Sequence, residues 1–288
     1  MSLFFVDSAS DLCTSDAKKL GVEIINLPFK KEEETCQYNE DFDMAKFYSK
    51  HKKGLDITSV QLSKKKYKDI FEPCLKQGDD IVYVHSSEGI VDLKNLYSAH
   101  EELCLEYPER VFKLIDSKNI SIGQGLVSYA CAMCYRKGDD SNQIFESSFD
   151  IANEYETYFA CDSLQKMEDN QLIDDHTLVT TGTALNIKPI LAVNLDGKLE
   201  LCDKVSGKKK AISKLLEVLR QTGENVADYP IGVVYTNDES QADELCQKIK
   251  EYYGEDIQLF KKRMTPSNVG LLGGGILGIS FHVHRKIN

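Results

Sequence analysis

Several apolar runs in the first half of the chain end in small polar residues. Residues 4–6 lead into Asp7-Ser8-Ala9-Ser10-Asp11, residues 81–84 into His85-Ser86-Ser87, and residues 111–115 into Asp116-Ser117. In open α/β sheets, ligands bind beyond the carboxyl ends of strands, where helix N-termini also offer N–H groups to an anionic head. Taken singly, each segment reads as caps and turn residues; Ser8, with Asp11 following at the third position, fits a capping box that opens a helix. Together the three segments point to a ligand edge. The same residues allow a second chemistry, a small-molecule transferase or hydrolase using Ser8, Asp7, Asp116 and Ser117. No recognised spacing places a base beside either serine.

Other constellations carry less. His282-x-His284 puts two imidazoles on one strand face, as metal ligands would sit. With no cysteine or carboxylate pattern beside them, surface or interface histidines are expected. Cys131-x-x-Cys134 falls in a helical pattern where i and i+3 share a face, so reduced and largely buried thiols are expected. Gly273-Gly274-Gly275-Ile276-Leu277-Gly278 satisfies Gly-x-Gly-x-x-Gly. A dinucleotide site needs a strand before it, a helix after it and an acidic residue about twenty positions on. Only ten residues follow Gly278, and they read as a strand. Neither a cofactor nor a metal enters this reading.

The elements that must position these residues are legible in the periodicity. Strands at 4–6, 22–27, 81–84 and 111–115 alternate with helices at 11–20, 66–76, 96–107 and 125–135, which predicts a parallel sheet flanked by helices. After about residue 150 the character changes. Extended runs at Ile187–Val193 and 198–205 flank Leu195-Asp196-Gly197, a hairpin signal because both turn residues tolerate positive φ. A helix with Ile212, Leu215, Leu216 and Leu219 on one face follows, then a strand (Ile231–Tyr235), a helix (Glu239–Tyr253), a strand at 257–260 and a final strand in which Ile279, Phe281 and Val283 alternate with polar residues. The fold class expected is α/β, with an N-terminal α/β domain over residues 1–155 and a C-terminal α+β domain with an antiparallel sheet over 156–288.

The 288 residues carry 42% hydrophobic and 28% charged side chains, the balance of a soluble globular protein. The net charge of −11 argues against a nucleic-acid surface, which needs clustered cations. The basic runs Lys64-Lys65-Lys66, Lys208-Lys209-Lys210 and Lys261-Lys262-Arg263 read as solvated surface. Residues 1–6 run straight into Asp7 without a basic n-region or cleavage site, so a cytoplasmic location is expected. The nine cysteines are scattered, apart from the 131/134 pair, and read as small buried hydrophobes.

Five segments, in this order, resemble the DegV family. Val6-Asp7-Ser8-Ala9-Ser10-Asp11-Leu12 looks like its opening Asp-Ser-Thr/Ala-x-Asp-Leu. Ser59-Val60-Gln61-Leu62-Ser63 is similar to its Thr-Ser-Gln-Pro-Ser loop, and His85-Ser86-Ser87 to its strand-end Ser-Ser. Asp116-Ser117 followed by Ser121-Ile122-Gly123-Gln124-Gly125 resembles its Asp-Ser-x-x-x-Ser-x-Gly-x-Gly. Leu185-Asn186-Ile187-Lys188-Pro189-Ile190-Leu191, then Asp196-Gly197 and Lys204-Val205, resembles its second-domain signature.

The resemblance implies a non-catalytic protein that holds a long-chain fatty acid in an apolar tunnel between two domains and hands it to a partner kinase. Transient membrane contact fits such a role, and nucleic acid does not. It places the lipid head near Thr58, Ser59, Ser86, Ser87 and Asp92, with Asp7, Ser8, Asp116, Ser117, Leu172, Leu271 and Gly274 at the pocket edge. This chain departs from the family pattern at that head. The Ser-Gly-Thr position reads Ile90-Val91-Asp92, Gly-Arg-Ile reads Gln171-Leu172-Ile173, the histidine before Gly-Pro-Gly falls on Leu271, and the arginine of Val-Arg-Gly becomes Ser206. The departures imply a less anionic lipid, a fatty acid held by other groups, or a family member acting through protein contacts alone.

Overall fold

The chain is described by a computed structural model over residues 2–38, 42–50, 56–173 and 186–286; of the family-like segments, Leu185 falls outside these residues. The first half contains β1 (Ser2–Asp7), β2 (Glu23–Ile25), β3 (Phe29–Lys31), β4 (Glu34–Cys36), β5 (Ile57–Ser59), β6 (Asp80–His85) and β7 (Phe112–Asp116), with helices α1 (Thr14–Leu20), α2 (Met44–Lys50), α3 (Lys64–Lys76), α4 (Lys94–Glu106), α5 (Ile122–Lys137) and α6 (Ser141–Asn153). Strands β2-β1-β6-β7 form the parallel sheet that strand–helix alternation predicts. Because successive side chains point to opposite faces, Phe5, Ile81, Tyr83 and Phe112 pack with Phe71 of α3 and Leu96 of α4. Phe4, Val6, Val82, Val84 and Ile115 pack on the other face with Leu126 and Val127 of α5 and Ile144 of α6.

The second half adds β8 (Tyr155–Cys161), α7 (Gln165–Asp169), β9 (Ile187–Val193), β10 (Leu199–Ser206), α8 (Lys208–Thr222), β11 (Ile231–Tyr235), α9 (Glu239–Tyr253), β12 (Leu259–Arg263), α10 (Pro266–Leu272) and β13 (Ile276–His282). Its six strands run in the order β10-β9-β8-β13-β11-β12. The sheet is mixed rather than purely antiparallel: β11 and β12 are parallel, since α9 carries the chain back over the sheet as a strand–helix–strand crossover. The Asp196-Gly197 hairpin forms as expected between β9 and β10, with Gly197 at φ +72°. One face of the sheet packs under α8 and α9 through Ile190, Val233, Ile279 and Phe281. The other turns Phe159, Leu191, Val193 and Val234 toward the first half.

Some expectations are corrected. The segment Tyr155–Cys161 gave no strand signal because all seven residues are buried and no alternation marks a face; it pairs with β9 and β13 inside the sheet. All of β13 is buried for the same reason. His282 is therefore a core histidine, its ring stacked 4.0 Å from Tyr229, whereas His284 lies beyond the strand and is exposed. The small sheet β4-β3-β5 is built from three-residue strands too short for periodicity to reveal. Cys131 is buried, but Cys134 is half-buried. The third basic run is structural: Lys261 pairs with Glu239 and Asp243, Lys262 pairs with Asp16, and the Arg263 guanidinium lies 4.1 Å from the Tyr48 ring centre.

Candidate functional site

Helix α5 joins the two sheets, and glycine makes the approach possible. A Cβ on Gly123 would fall 2.1 Å from Thr157 Oγ1, and one on Gly125 would fall 2.5 Å from the Ser10 carbonyl. The Ser-x-Gly-x-Gly segment thus brings the helix N-terminus against β8 on one side and the turn after β1 on the other. Thr157 donates to Asn119 Oδ1 at 2.7 Å, and Asn119 Nδ2 donates to the Tyr155 carbonyl.

The strand-end residues form a connected buried network. Asp7 Oδ2 accepts from the Tyr83 hydroxyl at 2.8 Å, while its Oδ1 accepts from Ala9 N–H and Gln124 Nε2. Gln124 in turn accepts from Ser86 Oγ at 2.8 Å. Burial pushes the Asp7 carboxyl above its ordinary range despite these donors. The expected capping box does not form. Asp7 caps the 3-10 turn at Ser8–Ser10, and Ser8 Oγ accepts from Leu27 N–H at 3.0 Å. Ser87 Oγ accepts from Gly89 N–H, beneath the β9–β10 hairpin, where a Cβ on Gly197 would meet that oxygen at 1.9 Å. Ser117 Oγ donates to the Asn119 carbonyl, and Asp116 Oδ1 accepts from Lys118 N–H. Asp92 is exposed and accepts from Lys94 N–H at the start of α4. Among the described residues, no histidine nitrogen bonds the Ser8 or Ser117 hydroxyl; these oxygens are held by Leu27 N–H and by the Asn119 carbonyl.

Asp11 is a junction that sequence reasoning treated only as a capping partner. Held at φ +56°, it accepts from Thr265 N–H at 2.8 Å, from Asn268 Nδ2 at 3.0 Å and from the Ser121 hydroxyl. Asn268 Nδ2 also lies 2.8 Å from the Ala9 carbonyl. One carboxylate therefore ties the turn after β1, the start of α5 and the first turn of α10. Burial is the largest influence and pushes its pKa up to about 6.

Helix α10 then runs against β5. A Cβ on Gly270 would sit 2.4 Å from Ser59 N and 2.6 Å from the Thr58 carbonyl carbon. Leu271 and Leu172 both pack on one apolar cluster, and Asn170 links them, its Nδ2 donating to the Gly270 and Leu271 carbonyls at 3.1 and 2.7 Å. Nothing in the spacing marked Asn170 in advance. Gly274 lies between Gly273 and Gly275, both at positive φ, in the turn from α10 to β13. Thr58 is exposed and Ser59 half-buried. Among the described residues neither hydroxyl has a hydrogen-bond partner, unlike Ser86 and Ser87.

The apolar cluster is a layer shared by both halves. Phe29, Phe47, Ile57, Ile90 and Ile122 contribute from the first half, and Phe159, Leu191, Val193, Met264 and Leu272 from the second. Ile90 and Val91, which follow Ser87, join the same layer as Ile57 and Leu271. The Ser86/Ser87 strand end and the Thr58/Ser59–Leu271 edge are thus brought to one layer, while Asp92 remains outside it.

A two-sheet α/β fold, with a bridging helix and an apolar layer edged by hydroxyls, defines the structural class. Residues 4–283 match the family model described as "Uncharacterised protein, DegV family", and the chain belongs to that family. A DegV domain-containing protein of Clostridium perfringens is 29% identical over 254 residues, covering 87% of each chain. The fold matches a stearic-acid-binding protein from Eubacterium ventriosum with a TM-score of 0.83 at 18% identity, over 99% of each chain. It also matches a DegV family protein from Eubacterium eligens loaded with heptadecanoic acid, with a TM-score of 0.83 at 17% identity over 98% of this chain and 100% of that one.

Proposed function

We propose that this protein is a non-catalytic carrier that holds a long-chain fatty acid, or a closely related lipid, in the apolar layer between residues 1–155 and 156–288. The observation that carries the reading is the continuity of that layer with the β5–α10 edge, where among the described residues the Thr58 and Ser59 hydroxyls have no hydrogen-bond partner. Each methylene withdrawn from water contributes about 0.8 kcal/mol, so ten would supply about 8 kcal/mol. The head group then needs only a few polar partners. The relatives from E. ventriosum and E. eligens, described with stearic and heptadecanoic acid, support this chemistry. In this reading the family's arginine and histidine positions are occupied by Leu172 and Leu271, and Ser59 supplies a hydroxyl to the head. The partner is a protein of fatty-acid-kinase type, and the setting is the cytoplasm; among the described residues no helix is long and apolar enough to cross a membrane.

The test is extraction of the natively purified protein followed by mass spectrometry, with displacement of a fluorescent fatty acid by oleate. A co-purified acyl species and saturable displacement are expected. Protein that carries no lipid and fails to bind oleate would refute the reading.

A further inference from the structure

His85 closes β6 with its ring buried, and the proposed lipid site makes no use of it. Its Nδ1 lies 2.8 Å from the Ser86 carbonyl, which can only accept, so Nδ1 carries a proton. Its Nε2 lies 3.2 Å from the Tyr97 hydroxyl on α4. That hydroxyl donates to Oε1 of the exposed Glu88. A phenol has one proton to give. With that proton spent on Glu88, the His85–Tyr97 bond forms only when Nε2 is protonated as well. Burial, and after it the bond to Glu88, holds the tyrosine well above its ordinary range, so the phenol stays intact. Histidine is the side chain that changes charge between pH 5 and 8.

The segment after His85 is a corner where the two halves meet. Ile90 and Val91 donate their N–H groups to the Ser87 carbonyl at 3.1 and 3.0 Å, and both side chains enter the shared apolar layer. A Cβ on Gly89 would fall 2.6 Å from the Asp196 carbonyl oxygen in the β9–β10 hairpin. We propose that His85, Tyr97 and Glu88 form a proton-operated latch on this corner. The imidazolium completes two ties between residues 85–88 and α4. Loss of its second proton leaves one hydroxyl proton for two acceptors, so one tie breaks and the corner loosens. Other charged groups face the ring. Burial raises the Asp7 carboxyl on β1, and the His85 charge opposes that shift. Asp116, opposite His85 on β7, is paired with Lys118 at 3.6 Å. The latch needs no bound lipid and so stands apart from the carrier reading.

The experiment follows amide hydrogen exchange at Ile90 and Val91 of the intact chain from about pH 5 to 8, corrected for the intrinsic pH dependence of exchange. Nitrogen NMR reports the charge of the His85 ring in the same samples. Wild-type protection should fall about tenfold as the ring loses its second proton, the effect of one charge-assisted bond. Tyr97→Phe removes the shared hydroxyl, so protection should be low at every pH. The amide of Glu88→Gln donates where a carboxylate cannot, which completes the chain through Tyr97 to a neutral imidazole. Protection in that variant should stay high and lose its pH dependence. Glu88→Gln leaves Asp7 and Asp116 in place, so a pH dependence that persists in it would belong to them and overturn the latch. An imidazole that stays neutral across the range would also overturn it, as would wild-type protection that does not change with pH. If Tyr97→Phe fails to fold, the surface substitution Glu88→Gln carries the test by itself.

Discussion

Replacing Asp11 by asparagine probes the junction that holds α10 against the first half. The carboxyl is buried, and its pKa rises from 3.8 to about 6 on folding. Ionising it in the folded chain therefore costs about 3 kcal/mol more than in the unfolded chain. The sign follows from the protons bound. Below pH 4 the group is protonated in both states and no stability is lost. Between about pH 4 and 6 the unfolded chain releases this proton while the folded chain retains it, so stability falls across that window and levels off above it. Asparagine preserves the geometry: its oxygen accepts from Thr265 N–H and Asn268 Nδ2, and its amide can donate to Ser121 Oγ in place of the hydrogen bond Asp11 accepts. The carboxyl of Asp7, also pushed up by burial, titrates in both proteins and cancels in the difference. Urea unfolding at steps from pH 4 to 7.5 should show Asp11→Asn gaining on wild type by about 3 kcal/mol as pH rises. A stability difference that stays constant across this range would refute the assignment of a desolvated, titrating Asp11.

Gly270→Ala should destabilise the protein by about 2 kcal/mol or more, because its methyl would sit 2.4 Å from the Ser59 backbone nitrogen. Gly21→Ala, with open space around it at φ +74°, should cost about 1 kcal/mol; equal urea midpoints for the two variants would contradict the close α10–β5 contact. Under native conditions Cys131 should resist a thiol reagent while Cys134 reacts slowly, given their buried and half-buried positions; rapid modification of Cys131, followed by mass spectrometry, would be inconsistent with its packing beneath β1 and β6. Leu172→Arg combined with Leu271→His adds donors to the proposed head-group edge and should strengthen oleate binding by about tenfold. Unchanged affinity in the displacement assay would place the head elsewhere.

Much of this architecture is determined by the sequence alone, because it depends on local periodicity. Short apolar runs alternating with amphipathic helices specify a parallel sheet with covered faces, and Asp196-Gly197 specifies a hairpin, whatever else the chain does. The bounds of β11 and α9 can be read directly from the pattern. The family-like segments likewise mark the strand ends and the Ser-x-Gly-x-Gly start of α5. Where both faces of a strand are buried, as in β8, alternation vanishes and only pairing partners define the element; in β13 the alternating small and polar residues marked the strand but not the burial of both its faces. The same limit hid the parallel β11–β12 pair, since sequence marks the elements but not which edge of the sheet the crossover reaches.

The site follows the same division. Sequence supplied hydroxyls and carboxylates at strand ends, but tertiary packing decided which of them remain available. Ser8, Ser86, Ser87 and Ser117 are engaged internally, Asp92 accepts the Lys94 N–H at the surface, and among the described residues the Ser59 hydroxyl beside Gly270 has no partner. Asp11 and Asn170 gain their roles from α10, which begins 255 positions after Asp11 and 96 after Asn170. No spacing rule reaches that far along a chain. Hydrogen-bond satisfaction and the burial of charge are properties of the three-dimensional neighbourhood, and that neighbourhood exists only once the two sheets close on their common apolar layer.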